Sequence, residues 1–168
     1  HFACELKDFD PTNWVERKAS RRMDRFAQMA LAAAIQAHAH SGVNVADDPT
    51  RMGVSIATGI GGLASFQECY DTLRDRGPDR VSPFSIPSII PNMGTAWVSI
   101  ELGVKGPVMS ECTACAASNM AIGAALDEIR NGRADVMFAG GTEAPITRVG
   151  VAGFDAMRAL SRRNEDPA

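Results

Sequence analysis

Two short apolar runs, each ending on glycines and each set between stretches of helical period, constrain this chain more than any other feature. Arg51 to Ala57, with Val54 and Ile56, leads into Gly59, Gly61 and Gly62, and Val136-Met137-Phe138-Ala139 leads into Gly140-Gly141. Runs of this length bounded by glycine read as strands, the second of them buried. Helical spacing lies around them. From Arg21 to about His40, Met23, Phe26, Ala27, Ala30, Leu31 and Ala34 form one stripe, with Gly42 placed to end it. Phe66, Cys69, Tyr70 and Leu73 mark a second helix, closed by Gly77-Pro78. Asn92 is placed to cap a third, which runs through Leu102 and stops at Gly103. After a short extended stretch from Val108 to Cys112, a helix rich in small residues runs from about Cys115 to Arg130, with Asn131-Gly132 as its left-handed cap. A last helix covers Val151 to Leu160. Pro78, Pro83, Pro87 and Pro91 forbid a regular helix or central strand between them, so that crossing reads as an ordered loop. Strands alternating with helices define an α/β class.

With 168 residues, 45% of them hydrophobic, the chain can bury a core of its own. A net charge of -3 offers no electrostatic footprint for nucleic acid. No apolar run approaches the roughly 18 residues of a membrane span, so no membrane partner is expected. His1 to Asp10 mixes charges and aromatics, unlike a signal peptide. The absence of an initial Met and the closing polar run Arg162-Arg163-Asn164-Glu165-Asp166-Pro167-Ala168 read as cut ends, so a fragment is expected. Cys4, Cys69, Cys112 and Cys115 are an even number, yet a chain this apolar needs no disulfide staples; reduced thiols in the cytoplasm are the expectation.

Cys115 is the residue most able to carry chemistry. It lies in Ser110-Glu111-Cys112-Thr113-Ala114-Cys115-Ala116-Ala117-Ser118, between an incoming strand and an outgoing helix. Unpaired amides and the macrodipole at a helix N-terminus favour an anion, and thiolate is the nucleophilic form of cysteine. The same amides can hold the negative charge of a thioester carbonyl under attack. A buried structural thiol is the alternative. Cys112 and Cys115 also form Cys-x-x-Cys, a possible redox pair or half of a zinc site. A structural zinc needs four ligands, however, and His38 and His40 lie on another helix. No metal or cofactor is expected.

Gly59-Ile60-Gly61-Gly62-Leu63-Ala64 fits the Gly-x-Gly-x-x-Ala dinucleotide pattern and supplies the alternative function from a different class, a non-catalytic dinucleotide-binding module. No strand ending in Asp or Glu follows about twenty residues later, which favours glycines serving a tight turn. Lys18, Arg21, Arg22 and Arg25 cluster around the first turn of a helix, where positive charge opposes the macrodipole. They form either a docking patch for an acidic partner or a solvated face. Glu143, after Gly140-Gly141-Thr142, is either a base or a hydrogen-bonded structural carboxylate.

Taken together, these segments resemble the β-ketoacyl-[acyl carrier protein] synthases, the elongating condensing enzymes of type II fatty-acid synthesis. Gly106-Pro107 with Thr113-Ala114-Cys115 resembles their active-site stretch. Ala121-Ile122-Gly123, the run from Asn131 to Val136, and Ala139-Gly140-Gly141-Thr142-Glu143 continue it, as do the run from Val149 to Phe154 and Arg158-Ala159-Leu160-Ser161. Upstream, the run from Arg22 to Phe26, Thr58-Gly59-Ile60-Gly61-Gly62 and Pro91-Asn92-Met93 match in order. The resemblance implies a thiolase-like fold, layered αβαβα, with only part of its amino-terminal half in residues 1–168. It also assigns the glycine turn to that fold rather than to a nucleotide. It implies that Cys115 takes an acyl group from acyl carrier protein and that its amide forms half of an oxyanion hole. Ile90 is the implied gate of the acyl pocket, and Lys18, Arg21, Arg22 and Arg25 the implied carrier-docking patch. A homodimer is implied too, with the strand before the nucleophile at the subunit contact.

Other parts of that pattern have no counterpart here. The family's two catalytic histidines and its lysine lie in the carboxyl-terminal half, and His1, His38 and His40 match none of them. The glycine-rich gating loop and the first βα unit are missing as well. The segment alone should therefore present the nucleophile without condensing substrates, with a large apolar face left uncovered. A polyketide-type synthase is the nearer alternative; a chain-length factor is disfavoured because such subunits lack the nucleophile.

Overall fold

Six residues of one strand, β1 (Met52–Ala57), are all buried, and the rest of the molecule is arranged around them. The structure is a computed structural model and describes residues 3–166; His1 and the last two residues of the polar C-terminal run lie outside them. β1 is the middle of a three-stranded parallel sheet, between β2 (Val108–Met109) and β3 (Val136–Gly141). Its register pairs Val54 with Val108 on one side and runs from Met52 opposite Val136 to Ala57 opposite Gly141 on the other. Parallel pairing requires crossovers, and helices supply them.

Strand parity fixes the layers, because alternate side chains leave a strand on opposite faces. Met52, Val54 and Ile56 join the main core with Phe26 and Leu31 of α2 (Arg25–Ser41) and Val98 of α5 (Met93–Leu102). Ala57, on the other face, packs with Ala117 and Ala121 of α6 (Ala117–Arg130). Ala117, Ala121, Ala125 and Glu128 are the buried stripe of α6, so small side chains let that helix approach closely. The approach is tightest at Gly141, where a Cβ would stand 1.9 Å from Ser118 Oγ. On the rest of its surface α6 leaves Met120, Ile122, Leu126 and Ile129 exposed.

Side-chain polar groups finish what the short β2 leaves unpaired. Thr95, 1% exposed on α5, accepts from Ile56 N at 3.1 Å, and its hydroxyl lies 2.6 Å from Ile56 O and 2.9 Å from Met109 O. At the other end Arg51 forks onto Asp135 (3.0 and 2.5 Å) and donates to Gly132 O at 2.6 Å, tying β1 to the turn before β3. That hydrogen bond holds the Asp135 carboxyl below its ordinary range. Arg133 does the same for Glu128, through two bonds of 2.6 Å.

Several elements differ from the sequence reading. α2 begins at Arg25 rather than Arg21, because the buried Asp24 caps it by accepting from Phe26 N at 3.2 Å. A separate short helix, α1 (Arg17–Ser20), carries Lys18. The proline-rich crossing is not all loop: after α3 (Leu63–Arg76) it contains α4 (Ser85–Ile89), with Pro87 in the first turn, where no intrahelical N–H is needed. β3 reaches Gly141 and is only half-buried, as an edge strand. α7 is Arg148–Ala156 instead of Val151 to Leu160, started by Thr147 Oγ1 accepting from Gly150 N at 3.0 Å. Asn92 precedes α5 but makes no side-chain cap. Gly42 and Gly132 are the left-handed stops expected, at φ 71° and 70°. Among the described residues no helix is long and apolar enough to cross a membrane.

Candidate active site

In an open parallel sheet the loops at the strand carboxyl ends gather on one edge, and ligands bind there. β1 and β3 end side by side on this edge, and the approach to α6 crosses it. A cavity of about 490 Å³ opens among them. Cys115 lines it from the turn before α6, Ser118 from the first turn of α6, Gly59 and Ile60 from the loop after β1, and Glu143 from the loop after β3; Phe154 and Met157 add apolar surface.

Cys115 is a free, exposed thiol in a single 3-10 turn, Ala114–Ala116, that leads into α6. The sequence reading started the α-helix at Cys115. It starts two residues later because Thr113 (φ -129°, ψ 43°) and Ala114 (φ 49°) leave helical geometry. Ala116 N closes the turn on Thr113 O at 3.1 Å. Cys115 still lies within a turn of the α6 N-terminus, where the macrodipole favours negative charge.

Cys112 has different surroundings: its Sγ lies 3.5 Å from Gly59 O, and it does not line the cavity. Among the described residues no group of three or more His, Cys, Asp or Glu side chains converges as metal ligands would. The glycine loop carries a correction to the dinucleotide reading. The amides of Gly59 and Ile60, which a pyrophosphate would need, donate to Glu143 Oε2 at 2.8 and 3.1 Å. Thr58 Oγ1 bonds Glu143 Oε1 at 3.2 Å and accepts from Gly61 N at 3.1 Å. A carboxylate already fills the cradle.

The remaining expected site residues do not gather at the cavity. Ile90 follows α4, is 38% exposed and lies outside the cavity lining, although its neighbour Ile89 accepts from Gly62 N at 2.9 Å. The basic residues do not share one helical turn. Lys18 and Arg21 are exposed, while Arg22 stacks over Phe84 at 4.5 Å. Arg25 stacks over Phe9 at 5.4 Å and donates to Leu6 O.

Asp24 escaped the sequence reading. Besides capping α2, its second oxygen accepts from Ser65 N in the first turn of α3 at 2.8 Å. One buried carboxylate thus caps two helices. The N-cap signal of an Asp directly before a helical stripe was available, but the reach to Ser65, 41 residues away, was not.

The parallel sheet packed between helices, with a cysteine-bearing turn leading into α6, has the thiolase-like fold of the ketosynthases. The chain belongs to the β-ketoacyl synthase family: the family model for the beta-ketoacyl synthase N-terminal domain matches residues 2–168. It is 46% identical over 166 residues to 3-oxoacyl-[acyl-carrier-protein] synthase 2 of Staphylococcus aureus (strain N315). That match covers 98% of this chain and 40% of the relative, so the chain spans less than half of that protein's length. A crystal structure of a beta-ketoacyl synthase from Burkholderia phymatum STM815 superposes with a TM-score of 0.83 at 31% identity, over 96% of this chain and 40% of that one. The AntDE:AntF structure, a type II PKS acyl-carrier protein in complex with its ketosynthase bound to the hexaketide, shares the fold. Its TM-score is 0.83 at 23% identity, over 93% of this chain and 45% of that one.

Proposed function

We propose that this chain is the amino-terminal part of a β-ketoacyl-acyl carrier protein synthase of fatty-acid elongation and that Cys115 is its acyl-accepting nucleophile. One observation carries the reading. The only cysteine lining the cavity at the carboxyl ends of β1 and β3, among the described residues, is Cys115 at the entrance to α6. Its thiolate attacks the acyl-carrier thioester, the carrier's phosphopantetheine thiol leaves, and the acyl group stays on Sγ. The Cys115 amide serves as one oxyanion donor. Malonyl-carrier then loses CO₂, and its carbanion attacks the Cys115 thioester. The β-ketoacyl carrier leaves and the thiolate is restored.

The catalytic histidines, the lysine and the second oxyanion donor belong, on this reading, to the rest of a longer polypeptide. Acyl carrier protein is the proposed partner, with Lys18 and Arg21 as the exposed basic residues that meet it. The proposed homodimer joins along β2, an edge strand whose Val108 is 49% exposed. Ile90 is retained as the proposed acyl gate, acting next to the loop of Gly61 and Gly62, and the cytoplasm as the compartment. The fatty-acid reading is preferred over a polyketide one because identity is 46% to a 3-oxoacyl-[acyl-carrier-protein] synthase 2 and 23% to the type II PKS ketosynthase.

The test uses the complete polypeptide, incubated with an acyl-carrier thioester, digested and mapped by mass spectrometry. An acyl adduct confined to Cys115 and lost in Cys115→Ala is expected. No adduct, with Cys112 and Cys115 oxidised together instead, would leave only the fold in common with the synthases.

A further inference from the structure

Glu143 lines the Cys115 cavity, yet its carboxylate is committed elsewhere. Oε2 accepts from the amides of Gly59 and Ile60, and Oε1 lies 3.2 Å from Thr58 Oγ1. A carboxylate poised as a base would keep an open lone pair toward its substrate, whereas this one is held by three groups of a single loop and by Ala144 N, which donates to Oε1 at 3.3 Å.

The opposite side of that loop bears on the nucleophile turn. Gly59 O lies 3.5 Å from Cys112 Sγ, and Thr58 N donates to Glu111 O at 3.4 Å. A Cβ on Gly59 would stand 2.8 Å from Glu143 Oε2 and 3.1 Å from Ala114 O, so the Gly59 backbone is sandwiched between the carboxylate and the residue preceding Cys115. Ala114 is the non-glycine residue with φ of 49°, and its conformation sets the direction in which Cys115 leaves the turn. Such a conformation persists only where its surroundings over-determine it. On the far side of the cavity the anchor is firm as well: the neighbouring Thr142 donates to Phe26 O at 2.7 Å, and Thr142 N to Ala57 O at 2.9 Å.

We infer that Glu143 is a positioning residue for Cys115, clamping the Thr58-Gly59-Ile60 loop against Ala114 so that the thiol is held toward the cavity. The inference rests on Cys115 being the acyl acceptor. The charge itself is not what the clamp needs. A glutamine oxygen can accept from both loop amides, while its NH₂ meets Thr58 Oγ1, a hydroxyl with lone pairs to spare, and gives up only the long 3.3 Å bond from Ala144 N.

The experiment compares Glu143→Ala and Glu143→Gln in the complete enzyme. Three quantities are read: single-turnover acylation of Cys115, the carrier concentration for half-maximal rate, and iodoacetamide alkylation of Cys115 against pH. Glu143→Ala should slow acylation and alkylation at least about tenfold, since a misplacement near 1 Å can cost about a hundredfold. Carrier half-saturation and the midpoint of the alkylation pH profile should stay where they are. Glu143→Gln should recover to within about threefold of the parent. If Gln is as slow as Ala and the pH midpoint moves, Glu143 acts through its charge or as a base, and positioning is overturned. A parent-like Glu143→Ala overturns it too. Should Glu143→Ala not fold, Gly59→Ala gives the answer, because its methyl wedges the carboxylate from Ala114: a tenfold slowing supports the clamp and an unaltered rate rejects it. If the parent enzyme itself shows no acyl adduct on Cys115, the functional reading fails, while the alkylation rates still judge the clamp.

Discussion

Replacing Asp24 removes a carboxylate that serves two helices at once, and the size of the effect follows from what each oxygen does. Oδ1 accepts from Phe26 N at 3.2 Å and Oδ2 from Ser65 N at 2.8 Å, with the residue only 3% exposed. Loss of an N-cap costs about 1 kcal/mol, and hydrogen bonds to charged groups contribute about 1.5–3 kcal/mol. Asp24→Ala leaves two amides without their acceptor in a buried place, so about 2–4 kcal/mol of stability should go. Asp24→Asn keeps one acceptor oxygen and turns its NH₂ toward the other donor, so about 1–2 kcal/mol should go. Urea unfolding of the complete polypeptide by far-ultraviolet circular dichroism measures both variants. Amide exchange should show faster opening in the first turns of α2 and α3 alike. An Asp24→Ala protein within about 0.5 kcal/mol of the parent would refute the two-helix cap, since surface substitutions commonly stay within that range.

Acid should weaken the fold through the carboxylates of Asp135 and Glu128, both held below their ordinary range by arginine hydrogen bonds. A lowered folded value means their stabilisation is present above the unfolded carboxylate range of about 4 and is lost as pH falls through the folded values. The double variant Asp135→Asn, Glu128→Gln should therefore show a smaller drop in melting temperature between neutral pH and about pH 3 than the parent. Glu128 should account for most of it, its side chain being 10% exposed against 65% for Asp135. Reversing Lys18 and Arg21 to Glu should weaken carrier binding about tenfold and flatten its salt dependence, read by titration at two ionic strengths. An unchanged affinity would remove the patch. Ile90→Phe should shift products toward shorter acyl chains by mass spectrometry, and an unaltered distribution would dismiss the gate.

Much of the fold was legible because its signals are local. Short apolar runs ending on glycine mark β1 and β3, and helical stripes with left-handed glycines mark the ends of α2 and α6. The errors share a cause. α4 forms inside a proline-rich stretch because Pro87 falls in a first turn, where its missing N–H is harmless. α6 starts late because Ala114 is held in a left-handed conformation that no alanine-rich sequence announces.

By itself the sequence determined the α/β alternation, the nucleophile candidate and, through its motifs, the family. These are properties of neighbouring residues, where steric preference and hydrophobic period act over a few positions. Tertiary structure alone decided which polar groups meet. Glu143 closes on a loop more than 80 residues earlier, Asp24 reaches across to α3, and Arg22 and Arg25 lie over phenylalanine rings while Lys18 and Arg21 stay exposed. Such pairings arise from packing the sheet between helices, and their partners are distant in the chain. A carboxylate's sequence context therefore says that it must be satisfied, and the fold says by what.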